Sequence, residues 1–511
     1  MGRPVEGLQL GTARGRWVLL ATVLGSGMAQ LDGTVVNVAL PRIGKDLSVG
    51  LSSLQWVITG YTLTLAAFLL LGGGLGDRYG RRKVFMIGVT WFAVASALCA
   101  AAPNAPLLIF ARAFQGVGGA LLTPGSLAIL QTSFNSGDRG RVIGAWSGLT
   151  GVASAIGPFV GGWLLNVSSW RWIFLLNLPL AVAVLAVSAR HVPESRDATA
   201  VGRPDWAGGV IAAAALAALT YGLIEGPAGH WKPATVLALV VAMLLLAGFL
   251  LLESRRRQPM LPLGLFRSRQ FVAANGVTFA MYGALSAFLF LVPVQLQTVA
   301  GYTPLAAGVS LLPLTVLMLL LSARSGALAA RIGPRLQMSV GPLLLAVGML
   351  LLTRVGSDGN YLTTVFPAAI VVGLGLSTTV APLTAAALST VPSENAGIAS
   401  GVNNDVARTA GLLAVAVLPA LAGIHGEDYR VASAFNTGFH HAAVICAVLA
   451  LVAGVLAALT IRNPVRGAPP DPTVPGLTAP EPIRPSCAAL DSAPLAAASL
   501  PVHQLPALPP E

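Results

Sequence analysis

Long apolar runs follow one another along most of the chain, separated by short turns rich in charge, glycine or proline. A hydrocarbon core of about 30 Å takes roughly 20 residues of helix. Runs of that length without unpaired charge fall at residues 17–40, 51–75, 84–102, 106–133, 141–165, 172–190, 206–224, 233–252, 271–299, 305–323, 337–354, 361–389, 400–424 and 438–461. The pattern predicts fourteen membrane-spanning helices. Segments of about ten alternating residues, which would mark a membrane β-barrel, do not occur. The first helix follows a short basic leader, residues 1–16, with no small-residue cleavage site, so it is expected to be a retained span and not a signal peptide.

Two of the turns are alike. GGLGDRYGRR, from Gly73, and GALAARIGPR, from Gly326, share five of ten residues at an offset of 253, with Gly73, Leu75, Arg78, Gly80 and Arg82 matching Gly326, Leu328, Arg331, Gly333 and Arg335. A second match, at an offset of 257, aligns Gly116, Gly118, Gly140 and Gly144 with Gly373, Gly375, Gly397 and Gly401. Together they equate helix 2 with helix 10. The halves are then helices 1–6 and 9–14, in the same orientation, with helices 7 and 8 inserted. This predicts an N-terminal six-helix bundle over 17–190, a linker carrying two helices over 191–270 and a C-terminal bundle over 271–462. Parallel repeats of this kind build one large class of secondary transporters.

Composition agrees with the helix count. The chain is 55% hydrophobic and only 10% charged, with mean hydropathy +0.77, whereas soluble domains carry about 25% charge. The net charge of +12 is distributed by side: with the N-terminus inside, 23 Lys and Arg lie in inner segments and 6 in outer loops. That split follows the positive-inside rule, predicts a multi-pass protein of the cytoplasmic membrane with both termini cytoplasmic, and removes nucleic acid as an explanation of the charge. The three cysteines, Cys99, Cys446 and Cys487, show no metal or disulfide spacing. No metal site or cofactor is read from the sequence. Residues 463–511 hold 13 of the 35 prolines and are expected to form a disordered cytoplasmic tail.

The charges inside the spans carry the candidate chemistry. Asp32 lies well inside helix 1, where a carboxylate costs at least ~2.5 to 3.5 kcal/mol to insert. Such a group needs a partner or a task, and gain and loss of a proton is one; a structural carboxylate bonded to Thr34, Asn37 or a neighbouring helix is the other reading. Asn37 is placed to orient the site, and Pro41 to loosen the end of the helix. Arg112 falls in the outer half of helix 4, too deep to reach the cytoplasmic surface easily, with Gln115 on the same face. Asp405 and Arg408 are expected to form an i,i+3 pair near the cytoplasmic start of helix 13, either a structural ion pair or a coupling or cation-binding site. In the first repeat turn, Gly73 and Gly80 permit a tight reversal, Asp77 is positioned to meet a facing helix N-terminus, and Arg78, Arg81 and Arg82 to bridge carboxylates across the two halves. Such contacts would form only with the inner ends together, as in an outward-open state. The second turn has Ala330 in place of Asp77. Gly157, Pro158, Gly161 and Gly162 make helix 5 small-sided and able to bend.

LDGTVVNVALPRI from Leu31, GGLGDRYGRRK, RAFQGVGGALLTP from Arg112, GPFVGGWL from Gly157, WRWIFLLNLP from Trp170, VQLQTVAGYTPLAAGVSLLP from Val294 and ENAGIASGVNNDVART from Glu394 together resemble the fourteen-helix drug:proton antiporter branch of the major facilitator superfamily. The resemblance covers residues 15–462. It implies a major facilitator fold and proton-coupled export of amphipathic or cationic small molecules by alternating access. It assigns Asp32 and Arg112 to proton coupling, Arg408 more securely than Asp405 to helix 13, and the helix 5 glycines to the exporters. The implied cavity lies between helices 1, 2, 4 and 5 and their partners 9, 10, 12 and 13. The expected partners are a small-molecule substrate, protons and lipid, in a monomer. A dedicated exporter of one endogenous metabolite or self-made antibiotic fits the same residues. A scaffold would not need Asp32, and a membrane enzyme would need a polar cluster that the sequence lacks.

Overall fold

A computed structural model describes residues 7–197, 205–229, 231–256, 259–357, 359–388 and 396–463. The expected tail apart from Asn463, and the first six residues of the leader, lie outside them. Among the described residues the protein is all helical, apart from one isolated bridge between Leu8 and Phe134. Fourteen helices are long and apolar enough to cross a membrane: α1 Ala13–Asp46, α2 Leu51–Tyr79, α3 Arg81–Ala101, α4 Ala105–Ser133, α5 Ser136–Val167, α6 Arg171–His191, α7 Trp206–Ala228, α8 Pro233–Arg255, α9 Arg269–Val299, α10 Pro304–Ile332, α11 Pro334–Arg354, α12 Tyr361–Leu388, α13 Ile398–Leu421 and α14 Ala432–Thr460. Each predicted run maps onto one of them, although 84–102, 400–424 and 438–461 reach one to three residues past the helix end and residue 389 of 361–389 lies outside the described residues. Several helices extend past their apolar run because capping, not hydrophobicity, ends them. α5, for example, starts five residues before its run, where the Asn135 side chain accepts from the Asp138 N–H at 2.8 Å.

Packing follows the repeat. α1 lies on α5 and α6, and α4 on α2 and α3; in the same way α9 lies on α13 and α14, and α12 on α10 and α11. The bundles meet along two seams, α5 with α10 and α2 with α13. The inserted pair α7 and α8 forms a hairpin, and α7 packs on both α2 and α13. Leu237, Val240, Leu244 and Leu251 on the outer side of α8 are exposed, as expected of a surface that lipid covers.

The two matching turns lie on one side of the molecule, called here the basic face. Each reverses the chain at a glycine with positive φ, Gly80 at +112° and Gly333 at +89°, a conformation that side chains with a Cβ rarely adopt. On the opposite face the bundles are bonded together. Gln55 donates to the Val415 carbonyl at 2.7 Å, Tyr429 to Val49 at 2.6 Å, Arg430 to Gly44 at 2.8 Å and Gln297 to Val38 at 3.0 Å.

Candidate functional site

Asp32 occupies the middle of the first bundle with no exposed surface, and Arg112 beside it is 1% exposed. The two form an ion pair from Arg112 Nη1 to Asp32 Oδ2 at 2.5 Å. Asp32 Oδ1 accepts from Gln115 Nε2 and from Asn177 Nδ2, each at 3.0 Å, and both amides also donate to Ser96 Oγ. Arg112 in turn donates through Nε to the Val57 carbonyl at 3.0 Å and through Nη1 to Gln115 Oε1 at 2.6 Å. Its guanidinium lies 4.4 Å from the Tyr61 ring centre. A buried charge pair is tolerable only when its remaining donors and acceptors are also bonded, and α1, α2, α3, α4 and α6 supply those partners here. Every neighbour bonded to Asp32 donates to it. A proton placed on Asp32 would remove the charge that Arg112 is bonded to and leave the guanidinium buried.

Asn37 is not one of these partners. Five residues along a helix turn a side chain by about 140°, and the Asn37 Oδ1 is buried with no hydrogen-bond partner. Thr34 also points elsewhere, donating to the Leu31 and Ser154 carbonyls. Asn177 and Ser96 were not among the predicted site residues. An asparagine within the apolar run of α6 was the available signal; Ser96 gave none.

The expected pairing of Asp405 with Arg408 does not form. Asp405 Oδ1 and Arg408 Nε are each buried without a hydrogen-bond partner. Spacing of i,i+3 allows such a pair but does not compel it, and Arg408 instead lines the cavity described below. Both residues lie more than two turns into the helix that starts at Ala396, deeper than the expected position near its start.

The repeat turn also differs from expectation. Asp77 does not cap a helix; it pairs with Arg81 of its own turn at 2.7 Å. The group at the N-terminus of α3 is Glu194, whose Oε1 and Oε2 accept from the backbone N–H groups of Arg82 at 3.1 Å and Lys83 at 3.2 Å. Arg82 donates to the Val192 carbonyl at 3.1 Å. Arg81 and Arg82 are therefore held within the first bundle and do not bridge the two. In the second bundle Asn463 takes the place of Glu194, its Oδ1 accepting from the Arg335 N–H at 3.0 Å. The first turn is thus tied down by the connector after α6, a segment in which sequence reading singled out no site residue.

Between the bundles a cavity of about 780 Å³ opens on the basic face. Its walls include Gln30 of α1, Leu70, Gly73, Asp77 and Arg78 of α2, Gln131 of α4, Trp146 of α5, and Asn404 and Arg408 of α13. The first bundle contributes helices 1, 2, 4 and 5, as the resemblance implied. From the second bundle, α12 and α13 line the cavity, while α9 and α10 add no lining residue among those described. α10 instead closes on α5: Gly157 and Gly161 lie against Thr34 and Val35 of α1, Gly162 against Leu305, and Pro158 against Gly308. Asp32 and Arg112 do not reach the cavity wall.

The sequence profile of the Major Facilitator Superfamily matches residues 22–416. The chain is 36% identical to the tetracenomycin C resistance and export protein of Streptomyces glaucescens over 422 residues, covering 82% of this chain and 77% of that one. It is also 36% identical to the multidrug resistance protein Stp of Mycobacterium tuberculosis over 386 residues, 75% of this chain and 71% of Stp. Among solved structures, a D-xylose-proton symporter superposes with a TM-score of 0.63 at 15% identity, over 88% of this chain and 99% of the symporter. At that identity the likeness concerns the fold.

Proposed function

The chain belongs to the Major Facilitator Superfamily, and from that premise we propose that it exports antibiotics and other amphipathic or cationic small molecules across the cytoplasmic membrane, in exchange for protons. Both termini are cytoplasmic, so the basic face is the inner one and the cavity receives substrate from the cytoplasm. The chain acts as a monomer, since one copy supplies both bundles and the cavity between them. No cofactor takes part, and the proton is the coupling ion.

The observation that carries this reading is a carboxylate held at the centre of the first bundle by one guanidinium, next to but sealed from a cavity open on one side. In this arrangement Asp32 is bonded to Arg112 and the cavity is open to receive substrate. A proton arriving from outside neutralises Asp32 and ends its attraction for Arg112. Buried charge that loses its partner is costly, so the bundle repacks when the proton arrives and again when it leaves. The bonds of Gln55, Gln297, Tyr429 and Arg430 across the outer seam must break when the cavity turns outward.

A sensitive host carrying the intact gene or Asp32→Asn tests this. The intact protein should lower accumulation of several compounds, an ionophore that collapses the proton gradient should abolish the effect, and Asp32→Asn should match the empty host. Full pH-driven efflux by Asp32→Asn would count against the mechanism. A second reading, export of one dedicated compound, is favoured by the tetracenomycin C relative as Stp favours the broad one. Protection confined to one compound of a panel would select it.

A further inference from the structure

Where α7 starts and α8 ends, the inserted hairpin brings together two acids that the mechanism above does not use. Asp205 caps α7, its Oδ1 accepting from the Gly208 N–H at 2.6 Å and pairing with Arg256 at 2.5 Å. Glu253, in the last turn of α8, accepts from the Leu261 N–H through Oε2 at 2.7 Å. The other two oxygens, Asp205 Oδ2 and Glu253 Oε1, are buried and have no hydrogen-bond partner. Asp205 is 7% exposed and Glu253 2%. The two oxygens flank one point: a Cβ on Gly208 would stand 2.8 Å from the first and 2.9 Å from the second.

With both acids ionised, two carboxylates and one guanidinium leave a net charge of about −1 in a buried site, with two acceptors facing each other. Like charges so close do not both stay ionised, and a buried acceptor without a donor is costly. One proton removes both problems, because the acid form of Glu253 donates to Asp205 Oδ2 and the cluster becomes neutral. Arg256 is the cation bonded to Asp205. Asp77 and Arg78 of α2, Asp197 of the connector and Arg408 of α13 line the same cavity as Asp205. The start of α7 otherwise meets α2 through Phe68 and Leu71, which flank Gly209.

We propose that Asp205 and Glu253 form a second proton-binding site, which holds one proton between Asp205 Oδ2 and Glu253 Oε1 and exchanges it with the cavity that Asp205 lines. On release, the reverse of uptake, the O–H bond of the Glu253 carboxyl breaks and the proton passes to a water molecule of the cavity as hydronium. Its departure leaves a buried negative charge beside the cavity, which a cationic group there can balance, so the hairpin senses what occupies the cavity. The site does not depend on Asp32, and its failure would leave the reading of Asp32 standing.

Infrared spectroscopy of the full-length protein in lipid nanodiscs at neutral pH reads the site through the C=O absorption of a protonated carboxyl. The intact protein minus Glu253→Gln should show the loss of one such band, shifted in deuterium oxide, and Asp32→Asn should keep it. Glu253→Gln offers an amide N–H to Asp205 in place of the proton, so its thermal unfolding should match the intact protein. Gly208→Ala puts a methyl between the two oxygens while leaving both acids, and should also abolish the band. A difference spectrum without a protonated-carboxyl band, or a band unchanged in Gly208→Ala, would overturn the shared proton.

Discussion

The centre of the first bundle holds a buried ion pair and that of the second, among the described residues, holds none, although the two share a repeated sequence pattern. At the offset of 257, Arg112 and Gln115 of α4 correspond to Ala369 and Val372 of α12, each 1% exposed. Asp405 and Arg408 of α13 make no pair with each other, and the buried polar contacts of the second bundle join neutral groups: Asn403 donates to Asn275 and Thr278, and Gln295 to Asn436. The same helix arrangement is therefore reached without any buried ion pair. Because packing does not demand Asp32 and Arg112, and a buried pair is weak evidence for stability, the charges in the first bundle serve a purpose that packing leaves unexplained. The turns make the same contrast in milder form. Both keep the positive-φ glycine and a side-chain cap on the following helix, but the cap is the charged Glu194 in one and the neutral Asn463 in the other.

Six substitutions sharpen or break that contrast. Arg112→Ala should have the largest effect, abolishing efflux and costing about 3 to 5 kcal/mol by leaving Asp32 buried and unpaired; thermal unfolding in detergent measures it. Adding Asp32→Asn should recover part of the stability but none of the efflux, and a double variant no more stable than Arg112→Ala would break the proposed coupling. Gly80→Ala and Gly333→Ala should each cost about 1 to 3 kcal/mol and by similar amounts, since both turns need the same backbone. Unfolding that differs widely between them would show that the turns are not equivalent in the scaffold. The smallest effect belongs to Glu194→Gln, which keeps a cap but removes its charge. A loss of about 0.3 to 1 kcal/mol that shrinks with added salt is expected, whereas Asn463→Ala should lose roughly 0.5 to 2 kcal/mol with no salt dependence.

The helices were legible in the sequence because the bilayer imposes a length, and the inserted pair because the two repeat offsets fix its place. Their ends were less so. The run in α10 stops at residue 323, before Arg324, yet the helix continues to Ile332, since charged residues at a membrane surface do not interrupt backbone bonding. Asp32 and Arg112 stood out one by one as intramembrane charges, but their contact spans 80 residues and depends on how α1 and α4 pack. Asp405 and Arg408 were misjudged in the other direction, from proximity in sequence to a pair that is not made. Asp77 was given a role that Glu194 fills, because a connector folds back over the turn and local spacing carries no information about that return.

The inserted hairpin gives the molecule two unlike flanks. α7 covers the α2–α13 seam, whereas along the α5–α10 seam Phe159, Trp163, Val316 and Leu320 are exposed. Any rocking of the bundles must drag a helical outrigger on the first flank and only displace acyl chains on the second. Lateral pressure and lipid chain order can therefore press on this protein from one side more than from the other, a mechanical asymmetry that a plain twelve-helix arrangement would not have.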